Sequence, residues 1–490
     1  MLFNSIDFAL FFPIVFVLYW LVARKLTLRN SLILVASYVF YGWWDWRFLI
    51  LIIISSIVDF YVGWYLHKTE EKRKRKMLLF LSLLVNLGFL VYFKYANFFI
   101  ESFVDSFRLF GAELESSTLN IILPVGISFY TFQTLSYTID IYRKQIEPTN
   151  NMLAFFSFVA FFPQLVAGPI ERASHLLPQF HKTYKFNYDL VKNGLLLMAF
   201  GLFKKMVIAD RTAIYVNEVY NNVGDYDGVA YTYATILFAF QIYCDFSGYS
   251  DIAIGAARTM GFDLMKNFNS PYFATSLTNF WHRWHISLST WFRDYVYIPL
   301  GGSRKGKIRT YTNLFIVFVV SGLWHGAAMT FVIWGAIHGL GLMIEKAFFK
   351  VKKPFYERLG LSNNKLSNDF FFGSITFLLV CLAWIFFRAN SLADATSILA
   401  GIFTNFNTAE IFDKSTYLIG FESNEFKVVC ISIGLLLIAE MVHAKKSLVK
   451  LINSQGIVLR WSAYLVIVFA IIVFGVYGEG VAQEFIYFQF

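Results

Sequence analysis

The sequence predicts an all-α polytopic membrane protein, and three observations carry that reading. Hydrophobic residues fill 57% of the 490 positions and charged residues only 15%, against roughly 25% charged in a soluble globular domain. Apolar runs recur along the whole chain, each near the ~20 residues needed to cross a hydrocarbon core. Lys and Arg gather in the short loops between those runs, where they set orientation in the bilayer. The net charge of +10 is therefore read as a mark of membrane topology, with no nucleic-acid partner implied. Cys244, Cys381 and Cys430 lie in or beside apolar runs without CxxC spacing. They read as small core hydrophobes, with neither a disulfide framework nor a thiolate metal site.

Taken in order, residues 7–23 lack a basic stretch before them and a small-residue cleavage signal after them, so they read as a retained span. Arg24, Lys25 and Arg29 place the next loop in the cytoplasm and the N-terminus outside. Residues 30–66 are long enough to go out and return, with Trp43, Trp44, Asp45 and Trp46 at the turn. They come back to Lys68, Lys72, Arg73, Lys74, Arg75 and Lys76. Residues 77–99 lead to an outer loop carrying Glu101, Asp105, Glu113 and Glu115 against Arg108 alone. Residues 119–142 return to Arg143 and Lys144. Residues 152–170 are apolar but interrupted by Pro163, Gly168 and Pro169. They read as a re-entrant or broken helix, which must be shielded by protein or line a cavity.

Residues 195–208 and 228–261 are further membrane segments. Residues 276–300 read as an amphipathic, aromatic-rich stretch running into Arg304, Lys305, Lys307 and Arg309. Residues 311–349 are too long for one simple span. A tight hairpin and a long tilted helix with a broken turn both fit, because Gly322, Gly326, Gly335, Gly339 and Gly341 permit either. Residues 370–387 leave and 426–443 return around Glu410, Asp413, Glu422 and Glu425. Lys445, Lys446, Lys450 and Arg460 mark another cytoplasmic loop, and 461–478 exit once more. About ten to twelve membrane segments follow, with no internal repeat or separate soluble domain. Residues 1–490 read as a single membrane domain.

Ionisable groups in spans are costly to bury and are functional candidates by default. Four of the eight histidines fall between Trp281 and His338. His325, in the stretch SGLWHGA, lies about 14 residues into its apolar run, so at ~1.5 Å per residue it sits some 20 Å from the cytoplasmic loop. A neutral imidazole there can take a proton from a hydroxyl; a histidine hydrogen-bonded between packed helices fits the same residues. His338 fits packing or an interface. His282 and His285, in WHRWHISLS, are spaced to share one face of a helix. Substrate positioning, a second proton-transfer group, a metal site or interfacial anchoring all remain open for them. Asp245 and Asp251, in YCDFSGYSD, stand among hydroxyls in an apolar segment. One would orient a histidine by accepting its second N–H, or both serve as polar glue between helices. The basic loop from Arg293 to Arg309 suits an anionic donor, although topology alone accounts for its charge.

At these motifs the chain resembles the membrane-bound O-acyltransferase family, in particular its bacterial alginate O-acetylation branch and, beside it, the teichoic-acid D-alanylation transferases. The matching stretches are 123–130 (LPVGISFY), 162–170 (FPQLVAGPI), 245–251 (DFSGYSD), 280–285 (FWHRWH) through Arg293 and Asp294, 323–326 (LWHG) and 485–490 (FIYFQF). They span nearly the whole chain in family order. The resemblance implies a disc of helices with re-entrant segments and a thin centre, funnelled from both faces toward the histidine. It implies His325 as the catalytic histidine and His285 as the second active-site histidine. His282, Trp281, Trp284, Trp324, Asp245, Ser247, Asp251 and Arg293 become substrate-binding or supporting residues. It further implies no metal and no tightly bound cofactor, with acetyl-coenzyme A or another acyl thioester as donor from the cytoplasm. The acceptor hydroxyl would lie outside, on a polysaccharide or on a serine of an extracytoplasmic, hydrolase-like partner that relays the acetyl group. The implied location is the bacterial cytoplasmic membrane.

Two other classes fit parts of the sequence. A membrane metalloenzyme would use His282, His285, His325 and His338, but the chain lacks the carboxylate-rich or multi-HxxHH pattern such a site needs. A transporter or flippase would use the broken helices, but such folds often carry internal repeats and none is seen.

Overall fold

The first helix begins where an apolar run meets a cap. In the computed structural model, which describes residues 1–108, 119, 121–166, 168–358, 365–445, 448–477 and 485–486, Ser5 accepts from the Phe8 N–H to start α1, Ile6–Val22. The long second run folds as expected into two helices, α2 (Leu26–Asp45) and α3 (Leu49–Lys68). The tryptophan cluster straddles the break between them: Trp43 and Trp44 end α2 and Trp46 opens a single 3₁₀ turn, capped by Asp45 accepting from the Arg47 N–H. Helices α4 (Lys72–Leu90) and α5 (Ala96–Arg108) follow, joined by a π-helical turn at Val91–Tyr95. The run from residue 119 does not start as helix. Gly126 takes a left-handed φ of +75°, and α6 covers only Ile127–Tyr142.

The stretch expected to be broken is interrupted at Phe161, whose ψ of 105° ends α7 (Met152–Ala160) before α8 (Phe162–Leu165), with Pro163 in its first turn. Next come α9 (Ala173–Leu176), α10 (Tyr188–Leu202), a π-helical turn at Phe203–Ala209, α11 (Asp210–Asn221) and α12 (Gly228–Thr259). The remaining helices are α13 (Leu277–Trp281), α14 (Ile286–Phe292), α15 (Lys307–His325), α16 (Met329–Arg358), α17 (Lys365–Arg388), α18 (Leu392–Thr404), α19 (Lys414–Tyr417), α20 (Ser423–Lys445), α21 (Leu448–Asn453) and α22 (Ile457–Phe474). No strand occurs among the described residues. Glu113, Glu115, Ala167, Lys446, Gly478 and residues 487–490 of the sequence motifs lie outside them.

Among the described residues, Leu26–Lys68, Lys72–Val104, Met329–Phe348, Ser367–Arg388 and Ile457–Phe474 are helical stretches long and apolar enough to cross a membrane. Helix α22 has no buried residue at all, as expected of a helix whose apolar surface faces lipid. The protein is a multi-pass, all-helical membrane protein.

The chain gathers into two compact units, Met1–Met198 with Ile252–Met265, and Ala199–Asp251 with Lys266–Phe490. In the first, α3, α4 and α6 are joined by buried polar groups. Asp59 accepts from Ser82 at 2.5 Å and from Asn86 at 2.8 Å, and Ser82 meets Thr138 at 3.0 Å. Such bonds hold helices together where the hydrophobic effect cannot. The second unit is built around tryptophan: Trp284, Trp334 and Trp384 are all fully buried, with ring centroids 5.1–5.8 Å apart along the chain of contacts.

Within the second unit, α15 and α16 form the tight hairpin, turning at Gly326–Ala328. A Cβ on Gly322 would run into the Phe331 carbonyl, and one on Gly335 into the Phe318 carbonyl. The two backbones therefore touch, as small residues allow in membrane helix pairs. Gly335→Leu is expected to destabilise the protein by ~1–3 kcal/mol through overpacking, read as a lower thermal unfolding midpoint in detergent. Gly434→Leu, on α20 with open space around it, should leave the midpoint at or above wild type.

Candidate active site

Residues 276–300 do not form one amphipathic helix. Helix α13, capped by Ser276, stops at Trp281, and α14 starts only after His285. His285 adopts φ +42° and ψ 55°, a left-handed conformation uncommon for a residue with a side chain. Such backbone costs about 1–3 kcal/mol and persists only where its surroundings enforce it. Here the enforcement comes from Asn267. Its carbonyl accepts the Ile286 N–H at 2.9 Å, its side-chain oxygen accepts from Ser287 at 2.5 Å, and its amide donates to Ser250 at 3.0 Å. The left-handed turn separates the two histidines that regular helical spacing would place on one face. His285 is fully buried and His282 is exposed.

His325 is the last residue of α15, at the hairpin tip, and is 2% exposed. Its ring lies edge-on to Trp324 at 4.9 Å, Trp334 at 5.0 Å and Phe387 at 5.4 Å. The His285 ring is 6.2 Å away, itself edge-on to Phe246 at 4.6 Å and tilted against Trp324 at 5.8 Å. The fold thus brings together His325, His285 and Trp324 from α15 and the turn before α14. Two imidazoles at this separation, walled by aromatic rings, can take a proton from a hydroxyl at one ring while the other steadies developing charge.

A cavity of about 1050 Å³ approaches this pair. Its lining includes Trp281, His282, Ser289, Arg293, Phe318, Ser321, Glu345 and Lys346. Ser321 stands one helical turn before His325, so the cavity comes within about 5–6 Å of axial rise of the histidine. Arg293 lies on its wall, with its guanidinium paired to Asp294 at 2.8 Å.

The other expected site residues fall elsewhere. Trp284 is a core side chain, stacked on Phe280 at 5.5 Å and tilted against Trp384. Asp245 and Asp251 do not orient a histidine: Asp245 contacts Lys205 at 2.7 Å, and Asp251 contacts Lys204 at 2.5 Å. Ser247 accepts from the same Lys204 at 2.9 Å. His338 packs: its ring accepts from the Trp281 indole at 3.4 Å and meets Trp334 at 5.0 Å. Among the described residues, no three or more His, Cys, Asp or Glu converge as a metal-binding group.

Lys204, Lys205, Asp210 and Glu440 went unnoticed in the sequence, and all four are at most 7% exposed. Glu440 accepts the Tyr243 hydroxyl. The signal was present: two adjacent lysines inside the apolar run 195–208 are costly unless paired.

Residues 143–362, which hold every site residue named above from Lys204 to His338, match the family model described as MBOAT, membrane-bound O-acyltransferase family. The chain is 40% identical over 447 residues to a probable alginate O-acetylase of Pseudomonas aeruginosa, covering 91% of this chain and 81% of that one. The chain belongs to the membrane-bound O-acyltransferase family. It is accordingly an enzyme, an O-acyltransferase. A peptidoglycan O-acetyltransferase of Helicobacter pylori is 35% identical over 82% of this chain and 80% of its own length. A teichoic acid D-alanyltransferase of Bacillus subtilis is 28% identical, over 48% of this chain and 62% of its own.

Proposed function

We propose that this O-acyltransferase moves an acetyl group from a cytoplasmic thioester, acetyl-coenzyme A, across the bacterial cytoplasmic membrane to a hydroxyl outside. That hydroxyl belongs to an extracellular polysaccharide or to a serine of a hydrolase-like partner that relays the group. The observation that carries the reading is the buried His325–His285 pair, 6.2 Å apart, with a cavity lined by Ser321 one turn away. The relatives named as alginate O-acetylase and peptidoglycan O-acetyltransferase support acetyl as the group and a saccharide as its destination.

In this mechanism His325 acts as general base on the acceptor hydroxyl, which attacks the thioester carbonyl. His285 donates to the developing oxyanion, and the proton held by His325 passes to the departing thiolate. Trp324 and Trp281 hold the rings and the thioester in place. His282, Arg293 and Lys346 lie on the cavity wall toward basic loops, which the charge pattern assigns to the cytoplasm, and meet the phosphates of the donor. Water is excluded by the aromatic surround, so the thioester is protected until the acceptor arrives. Asp245, Ser247 and Asp251 support the site through Lys204 and Lys205 and make no contact with substrate.

The test is ester-linked acetate on envelope polysaccharide, released by mild base and identified by mass, in cells with and without the chain. Acetate that appears only with the chain supports the proposal. An ester of another acid overturns the acetyl assignment, and no ester at all overturns the acceptor. The donor route has its own test. Ser321→Phe places a ring in the cavity one turn from His325 and is expected to raise KM for acetyl-coenzyme A about tenfold, or ~1.4 kcal/mol. An unchanged KM would mean the donor takes another path.

A further inference from the structure

Two carboxyl groups and one ammonium group lie buried together around Lys205, and the acyl-transfer reading does not use them directly. Lys205 sits between Asp245 and Asp210, at 2.7 Å from each, and none of the three side chains is more than 4% exposed. Lys205 belongs to the π-helical turn Phe203–Ala209. Ordinary helical geometry sends consecutive side chains about 100° apart. In the widened turn Lys204 reaches Ser247 and Asp251, while Lys205 reaches Asp245. π-turns within helices are frequent at functional sites.

Buried charges are costly unless their remaining lone pairs find donors. The second oxygen of Asp245 finds one far away in sequence: it accepts the Ile486 N–H at 2.7 Å. The chain after α22 returns to this same turn at another point, where the Val476 N–H donates to the Met206 carbonyl at 3.0 Å. Both Phe485 and Ile486 are buried. The Phe485 ring packs on Tyr249 at 4.6 Å and edge-on to Phe246 at 5.8 Å. Phe246 in turn presses on the His285 ring at 4.6 Å.

We propose that Asp245, held by Lys205 and Asp210, is a positioning residue for acyl transfer: it fastens the main chain at Ile486 so that Phe485 backs Phe246 against His285. The inference rests on the assignment of His285 and His325 to the acyl-transfer site. The carboxylate reaches no substrate. It acts through a backbone N–H, two phenyl rings and an imidazole, in that order. The carboxylate serves both partners at once, giving one oxygen to Lys205 and the other to the Ile486 N–H.

The experiment uses the full-length protein in membranes, with Asp245→Ala and Phe485→Ala. Asp245→Ala leaves Lys205 paired with Asp210, so no buried cation is stranded. Deuterium exchange at the peptide containing Ile486 should become at least tenfold faster, while peptides from α15 and α16 keep wild-type exchange. The kcat for acetyl transfer should fall at least tenfold, with KM for acetyl-coenzyme A within twofold. Phe485→Ala keeps the anchor and should lower kcat several-fold with slow exchange retained at Ile486. Unchanged exchange in Asp245→Ala overturns the anchor. Faster exchange with kcat within twofold of wild type overturns its positioning role. If Asp245→Ala fails to accumulate, wild-type kcat in Phe485→Ala overturns the proposal instead. His325→Ala run alongside separates the two readings: transfer that survives it defeats the assignment of His325 to the acyl-transfer site, whereas the exchange result still reports on the anchor.

Discussion

Replacing His325 with glutamine is expected to lower O-acetylation about 10²–10⁴-fold, the usual contribution of a positioned general base, with membrane levels unchanged. Glutamine nearly fills the imidazole's volume and keeps a hydrogen-bonding tip, yet it cannot take up a proton at working pH. That choice matters because His325 is 2% exposed and wedged between Trp324, Trp334 and Phe387. Alanine there would also open a void, at a cost of a few kcal/mol in stability, and a fall in activity would then have two explanations. With His325→Gln the thermal midpoint should stay within a few degrees of wild type while ester acetate on polysaccharide disappears. His325→Ala should show the same loss of acetate with a lower midpoint. Wild-type acetylation in the glutamine variant would leave His325 a packing residue and transfer the base to another group.

Much of this was legible in the sequence because it depends on local chemistry. Spans came from apolar runs and loop charge. Two helix lengths at 30–66, parted near the tryptophans, were readable from the run's length, and α2 and α3 are those two helices. The hairpin at 311–349 was one of two open alternatives, and backbone contact at Gly322 and Gly335 decides it. What could not be read was set by residues far apart. The spacing of His282 and His285 suggested a shared helix face, but Asn267 bonds the two residues that follow His285 and holds the chain in a left-handed turn. Nothing within WHRWHISLS announces that partner. Asp245 stood out as a buried carboxylate, but its use depends on the π-turn that aims Lys205 and on Ile486, 241 positions away. Burial cost singles out such groups from sequence; it does not name what they meet.

His285 offers the second large effect, and its backbone separates chemistry from structure. Asparagine tolerates the left-handed region better than most residues with a side chain, so His285→Asn should keep the turn at φ +42° and the bonds from Asn267. The amide is shorter than imidazole, so it would retract from the His325 side of the site while preserving a polar group near Phe246. If His285 donates to the oxyanion of the tetrahedral intermediate, losing that donor should cost about 10²–10³-fold in kcat. The KM for acetyl-coenzyme A should change little, because the interaction forms in the transition state and not in the ground state. His285→Gly removes the Cβ strain altogether and should lose activity at least as fully, with Ile286 still bonded to Asn267. A strained turn that existed only to connect α13 with α14 would predict the opposite: both variants would fold at least as well as wild type and acetylate at its rate. Activity retained in His285→Gly would therefore assign the left-handed residue to chain geometry alone. Activity lost in both, with the midpoint held, would mean that the fold spends backbone strain to aim one imidazole at another.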